Sequence, residues 1–249
     1  MIKKLKSKIK RFVDLRVKLI KDQQRLNQQT ILNYQQISQL FNQDSFVPFT
    51  AWAISPTTVL HVLNEIVVNN RKVVVEFGAG ASTFYIAKVI KVLDLKTKFY
   101  AVESNEEWAR ELQRQLKLYG LENFVEIIVA PLSNVPENYA FKQQHSWYDT
   151  KILESRLKDV QEVDLILVDG PPGGSSPYAR FSALPYLLNK LASEFVVFLD
   201  DVERAYEKEV AKQWHKKLKC NAKFYERYVV LSNREGFDVT PFQLGNLPI

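Results

Sequence analysis

The stretch VVVEFGAGAS, residues 73–82, constrains the fold more than any other part of the chain. Three β-branched residues run into Glu76 and Phe77, which reads as a strand buried on both faces. Gly78 and Gly80 then permit a tight turn with no side chain between the backbone and a ligand. Ser82 and Thr83 open a helix whose free N–H groups point the same way. A strand, a glycine turn and a helix in that order begin a parallel α/β unit, and in such sheets ligands bind at the carboxyl ends of the strands.

The remainder of the chain repeats this alternation. Short apolar runs at 73–77, 99–102, 124–129, 165–168 and 195–199 are strand candidates. Between them, residues 82–93, 105–119 and 180–192 carry apolar side chains at helical spacing. Strands this uniformly apolar, separated by helices, predict a parallel sheet covered on both faces. The segment 222–244 reads as a closing hairpin, with its turn at SNREG.

Charge is distributed unevenly. The chain carries +6, but residues 1–30 hold ten Lys and Arg against Asp14 and Asp22, a net +8, so the rest sums to −2. Residues 1–45 read as helix, with Ile2, Leu5, Ile9, Phe12 and Leu19 at steps of three, four or seven. Pro48 disfavours its continuation, and Ser55 followed by Pro56 is a cap and first-turn pair for a second helix. The division expected is a basic amphipathic extension at 1–47 and a catalytic body at 48–249. Three readings of the extension stand side by side: a solvated helix packed on its own domain or on a second copy, a basic helix at residues 1–25 on an anionic membrane surface, and a nucleic-acid contact, which basic charge alone indicates poorly. Arg16 interrupts the stripe and argues against a long coiled coil.

Cys220 is the single cysteine, which excludes an internal disulfide, and His61, His145 and His215 have no zinc-ligand spacing. A reducing, cytoplasmic compartment is the expectation, peripheral at the inner membrane surface if the extension binds lipid. No apolar run approaches the roughly 18–20 residues of a membrane span. Homo-oligomerisation is left open.

Two clusters of acids carry the chemistry. Glu76 ends the first strand beside the glycines. FYAVES ends a second strand in Glu103, where a ribose diol would be held by two accepted hydrogen bonds; the alternative is a cap for the helix that starts near Asn105. A dinucleotide fingerprint requires glycine where Thr83 stands, and a pyrophosphate gains nothing from a neighbouring carboxylate. A nucleoside with an amino-acid tail suits the site better.

DLILVDGPPGG ends a later strand in Asp169, and FVVFLDDVER ends the next in Asp200 and Asp201, with Arg204 one helical turn on. Carboxylates this close repel one another unless a cation or a basic substrate sits among them. The bland alternative, a helix cap, covers one of the Asp200–Asp201 pair and leaves Asp169 unexplained. In HSWYD, Trp147 and Tyr148 either wall a substrate ring or plug the edge of the core, and His145 is a candidate base.

These motifs, arriving in order over roughly residues 50–245, resemble the class I S-adenosylmethionine-dependent methyltransferases. EFGAGAS is similar to their acid-x-Gly-x-Gly-x-Gly/Ser motif, and Glu103 to their ribose-binding acid. The resemblance implies an α/β, Rossmann-like sheet of seven mostly parallel strands with helices on both faces and the last strand reversed. It implies S-adenosylmethionine as cofactor, held by Glu76, Gly78, Ala79, Gly80, Ser82 and Glu103, with Pro131 of VAPLS at the adenine pocket, where the family's common Asp is absent.

Asp169 with Asp200–Asp201 resembles the catechol-type branch, whose Asp and Asp-Asn pair hold magnesium. That likeness implies a divalent cation on Asp169, Asp200 and Asp201, with Asp201 departing from the pattern. VDGPPG, YARFSALPYL and VFLDDVER resemble a glycan-associated group that includes glucuronoxylan O-methyltransferases, with Asp200 in place of a His. This implies O-methylation of a sugar, glycan or other small acceptor, with Arg180 and Arg204 gripping an acidic group. Asp169 and Asp200 are then the catalytic candidates and Trp147 and Tyr148 further substrate contacts. The competing readings are a nicotinamide-dependent oxidoreductase, disfavoured by Thr83, and a non-catalytic binding module tethered by its basic helix.

Overall fold

The computed structural model of the chain describes residues 2–41, 45–234 and 236–243. Met1, positions 42–44 of the predicted first helix, Glu235 of the predicted turn and Leu244 of its second arm lie outside the described residues, as do the side chains of Ile2 and Leu5.

Helix α1 (Ile2–Ser38) leads by way of residues 45–55 to α2 (Pro56–Val68). The first helix therefore ends seven residues before the expected limit of 45. Ser55 caps α2 by accepting from the Thr58 amide at 3.1 Å, with Pro56 in the first turn, where its missing N–H costs nothing. Then follow β1 (Val73–Phe77), α3 (Ala81–Val92), β2 (Lys98–Glu103), α4 (Glu106–Leu118) and β3 (Glu126–Val129). A small antiparallel pair, β4 (Leu132–Asn134) and β5 (Ser146–Tyr148), precedes α5 (Thr150–Arg156). The chain closes with β6 (Val163–Val168), α6 (Ala183–Leu187), β7 (Leu191–Leu199), α7 (Ala205–Leu218), β8 (Asn221–Phe224) and β9 (Val229–Ser232).

The main sheet has seven strands in the order β3-β2-β1-β6-β7-β9-β8. All neighbours from β3 to β7 are parallel, and β9 runs antiparallel to both β7 and β8, so the last strand is the reversed one. Side chains alternate between two apolar layers, as a pleated strand requires. Val74, Leu165 and Leu167 join the layer under α2 to α4, while Val75, Phe77, Ile166 and Val168 join the layer under α5 to α7. Each such side chain, fully buried, contributes about 1.5–3 kcal/mol.

Two local expectations give way to sheet pairing. The helix predicted at 180–192 shrinks to α6 plus a 3-10 turn (Leu188–Lys190), because Leu191 already pairs with Val163 at the start of β7. The closing hairpin turns at Tyr225–Tyr228 and not at SNREG. Its two tyrosine rings stack at 4.5 Å and the Tyr225 amide donates to the Tyr228 carbonyl at 2.8 Å. Residues 237–243 form no strand; instead they run back over the body, where the Val239 carbonyl accepts from Asn64 at 3.0 Å.

Candidate functional site

The carboxyl ends of β1, β2, β6 and β7 are stitched together by backbone hydrogen bonds. Gly78 N donates to Val102 O at 2.9 Å, Gly170 N to Phe77 O at 2.7 Å, and Asp200 N to Val168 O at 3.0 Å. Above them opens a crevice of about 420 Å³, lined by the glycine turn, Glu103, Asp169 and the segment 48–54. A separate cavity of about 280 Å³ between α1 and the β8–β9 turn contains no glycine turn and no strand-end acid.

The two glycines do different work. Gly78 has φ +97°, and a Cβ there would lie 2.7 Å from Gly170 N, so only glycine permits this turn to close against the end of β6. At Gly80 an added Cβ would meet nothing within 4 Å; that position faces open space in the crevice. Thr83, where a third glycine was considered, accepts from the Gly80 amide at 2.9 Å and donates to Glu76 Oε2 at 2.6 Å. The Ser82 hydroxyl occupies Glu76 Oε1. Glu76 is fully buried and lines no part of the crevice, so it braces the turn from beneath and offers nothing to a ligand. Burial pushes its carboxyl up to about 7 against the pull of both hydroxyls.

Glu103 is placed differently. Its Oε1 accepts from the Asn105 amide at 2.7 Å and from Ser104, and its Oε2 makes no hydrogen bond among the described residues. Asn105 itself caps α4, so both expected roles are filled by neighbouring residues, the cap by Asn105 and the crevice-facing acid by Glu103. Burial raises the Glu103 pKa, opposed by the bonds from Asn105 and Ser104. Ala79 and Ser82 line the crevice as expected, whereas Pro131 does not; it is exposed, and its carbonyl accepts from Asp149 N at 2.9 Å.

The second cluster is saturated from within. Asp169, Asp200 and Asp201 bring carboxylate oxygens within 4.8 Å of one another. Arg180 Nη2 stands between two of them, 3.1 Å from Asp169 Oδ1 and 2.8 Å from Asp201 Oδ2, and Nη1 donates to the Asp200 carbonyl at 3.0 Å. Arg204 Nη1 lies 2.9 Å from Asp201 Oδ2. Arg227, from the β8–β9 turn, reaches Asp201 Oδ1 at 2.8 Å and Asp200 Oδ2 at 3.3 Å, and Thr58 supplies Asp200 Oδ1 at 3.3 Å.

Burial pushes Asp169 well above the usual carboxylate range, with Arg180 opposing. Burial likewise lifts Asp200 to about 6, against Arg227. At Asp201 burial is overcome by Arg180, Arg227 and Arg204, and the pKa is lowered. A divalent cation needs carboxylate oxygens converging on a free point within about 2.0–2.6 Å. Here that point holds a guanidinium nitrogen of a nearly fully buried arginine, and the donor set does not fit a metal.

Several expected substrate contacts change accordingly. Asp200 is fully buried and lines no part of the crevice, so it cannot touch an acceptor; Asp169 does line it. Arg180 borders the crevice with its charge already committed to aspartates, while Arg204 keeps an exposed edge. Trp147 is sealed in the core against Phe77, ring centroids 5.4 Å apart, and presents no face to a substrate. Tyr148 is buried too, yet its hydroxyl points at Gly170 and borders the crevice. Both belong to strand β5, not to a loop, and His145 is exposed outside the crevice.

Sequence reasoning missed three crevice residues. Trp108, whose indole N–H donates to the Ala79 carbonyl at 2.9 Å, stands out in NEEWAR as an aromatic in a polar first helical turn. Trp52, 80% exposed, belongs to the segment at the boundary between the extension and the body, where no site residue was expected. Arg227 carries no local signal, since YERY resembles any strand turn.

Comparison with known proteins follows the same lines. Residues 75–202 match the family described as "Methyltransferase domain". Among solved structures, the O-methyltransferase of Bacillus cereus in complex with SAH is 14% identical, with 80% of this chain and 90% of that one covered at a TM-score of 0.53. TomG, an O-methyltransferase from Streptomyces achromogenes involved in tomaymycin synthesis and solved with SAM, is 14% identical over 81% and 90% at 0.52. SAH-bound PaMTH1 from Podospora anserina is 14% identical over 82% and 86% at 0.51. At such identities the likeness is one of fold. No curated protein matches by sequence.

Proposed function

The chain belongs to the methyltransferase-domain family, and on that premise we propose that it moves the methyl group of S-adenosylmethionine to a hydroxyl oxygen of a small acceptor, a sugar or glycan hydroxyl first among them. The observation that carries this reading is the open space over Gly80 on one side of the crevice and the unbonded Oε2 of Glu103 on another. A backbone-floored cradle beside a lone carboxylate suits a nucleoside whose ribose donates two hydroxyls and whose tail carries no phosphate. When bound, S-adenosylmethionine supplies a methyl group activated on a sulfonium. The protein's share is alignment.

Asp169 is the residue placed to meet the acceptor. Its Oδ1 is held by Arg180 while Oδ2 makes no hydrogen bond among the described residues, and the side chain borders the crevice. In this reading Oδ2 accepts the hydroxyl proton as the acceptor oxygen takes the methyl group. The exposed edges of Arg204 and Arg227 beside it suit an acceptor bearing an acidic group. The O-methyltransferase descriptions of the Bacillus cereus and Streptomyces achromogenes structures support oxygen as the receiving atom.

Calorimetric titration with S-adenosylhomocysteine and with NADH tests the cofactor: heat from the first alone is expected, and heat from NADH alone reverses the assignment. Incorporation of labelled methyl into glycans, nucleotide sugars and phenols then tests the acceptor. A base must be unprotonated, so turnover should climb as pH rises through the raised Asp169 pKa, and Asp169→Asn should abolish that limb.

A further inference from the structure

Three carboxylates at adjacent strand ends require positive charge among them, and the fold supplies its own. We propose that Arg180 is the resident cation of this site: it takes the place a divalent ion would take among Asp169, Asp200 and Asp201, and it positions Asp169 toward the acceptor. One nitrogen, Nη2, bridges Asp169 Oδ1 and Asp201 Oδ2 at 3.1 and 2.8 Å, and the side chain is only 4% exposed. The second nitrogen is anchored on the Asp200 carbonyl. Arg204 shares Asp201 Oδ2 with Arg180, and Arg227 takes Asp201 Oδ1 and Asp200 Oδ2, so a metal would have to expel a buried guanidinium and also compete with two more.

Such an arrangement holds Asp169 by one oxygen and leaves the other toward the crevice. Arg180 acts through Asp169 and is a positioning residue, so Arg180→Lys should shift the rising pH limb of turnover that Asp169 sets, and an unshifted limb overturns that role. The role given to Asp169 rests on the methyl-transfer reading above; the exclusion of metal does not.

Manganese titration followed by electron paramagnetic resonance tests it on the full chain, without cofactor or acceptor, so its failure is separable from failure of the calorimetry. The wild type should show no saturable Mn²⁺ uptake into the millimolar range. Arg180→Met, which removes the charge and keeps much of the volume, should create an acidic hole that binds Mn²⁺ at least about tenfold more tightly, since ligand charge sets such affinities. Adding Asp169→Asn should abolish that uptake. Arg180→Lys keeps a cation in place and should exclude the ion like the wild type, which decides the matter even if the Met variant fails to fold. Saturable uptake by the wild type that Asp169→Asn removes, or uptake by the Lys variant, overturns the proposal.

A separate observation carries a second inference, at the other end of the molecule. In α1 the side chains of Ile9, Phe12, Val13, Leu15, Val17, Leu19 and Ile20 are between 46% and 58% exposed. At about 100° per residue they spread over one broad face, with Lys6 and Lys8 just inside its two margins and Lys10, Arg11, Lys18 and Lys21 on the remaining side. Arg16, inside that face, lies over the Phe12 ring at 5.2 Å. The helix docks on the body through Gln29, Asn33 and Ile37, further along its length, and every residue from Lys6 to Lys21 is exposed, so the body leaves the apolar face uncovered.

We infer that residues 6–21 lie along an anionic bilayer surface. A second copy would bring two strongly basic helices together, whereas anionic headgroups attract each basic residue while the acyl boundary takes the apolar face. Among the described residues no helix is long and apolar enough to cross a membrane, which leaves lying on the surface as the mode.

Co-sedimentation of the full chain with phosphatidylglycerol/phosphatidylcholine vesicles should be strong, weak with phosphatidylcholine alone, and reduced by salt. Replacing Ile9, Phe12 and Ile20 together by serine should cut binding about tenfold or more, as expected for lost apolar burial. Vesicle binding unaffected by those serines, absence of binding to anionic vesicles, or a stable dimer in sedimentation equilibrium that the serines dissolve would each overturn it.

Discussion

Two acidic strand ends at the same sheet edge meet opposite fates. Beside the glycine turn, Glu76 is satisfied by two hydroxyls and Glu103 by an amide and a hydroxyl; burial raises both pKa values against these neutral donors, and Glu103 keeps a free oxygen. At the ends of β6 and β7, Asp201 is gripped by Arg180, Arg204 and Arg227, and its pKa is lowered. The first region is built to receive something; the second is closed on itself except at Asp169. An acid at a strand tip therefore marks the edge where ligands bind, and the partners folded around it decide whether it is offered to one.

The largest expected effect breaks the closed region. Asp201→Asn leaves three guanidinia short of a partner, two of them in buried or half-buried surroundings, and should cost about 3–5 kcal/mol of stability in urea denaturation. A loss below about 1 kcal/mol would mean the cluster is looser than its geometry.

The open region should instead show itself in pH. Glu76 has a folded pKa of about 7 against an ordinary 4.5, so its contribution is fully present below pH 4.5 and is lost as pH rises toward 7. The swing is of order 3 kcal/mol. Denaturant midpoints measured from pH 4 to pH 8 should fall for the wild type and fall less steeply for Glu76→Gln, since the raised Asp169 and Asp200 keep part of the slope.

The glycines separate folding from binding. Gly80→Val points into empty crevice, at a backbone conformation other residues adopt, and should leave the melting temperature nearly unchanged. Affinity for S-adenosylhomocysteine should drop about a hundredfold or more, because overfilled space expels the ligand. Gly78→Val, strained at φ +97° and colliding with Gly170, should fail by unfolding. Glu103→Ala should weaken the same ligand about tenfold to a hundredfold by calorimetry, the worth of hydrogen bonds to a charged acceptor. The smallest effect belongs to the rim of the closed region: Arg204, 47% exposed, pairs in reach of water, and Arg204→Gln should cost under about 1 kcal/mol and less in high salt.

Legibility followed the range of the interactions. The strands at 73–77 and 99–102 and the helices at 82–93 and 105–119 stand where apolar spacing puts them, because those patterns are set within a turn or a pleat of each residue. The segment 180–192 and the final hairpin were misjudged where pairing with a distant strand overrode local signals, as Leu191 does with Val163. Trp147 illustrates the same limit: its stretch reads equally as a wall for a substrate ring and as a plug at the core edge, and only enclosure by β4 and Phe77 decides for the core.

The local pattern alone determined the α/β alternation, the glycine turn between β1 and α3, and the acids at the tips of β1, β2, β6 and β7, since each depends on neighbours a few residues away. Only the tertiary structure decided what those acids face. Thr58, Arg180, Arg204 and Arg227 arrive from four separate segments, and electrostatics depends on distance in space, about which spacing along the chain is silent.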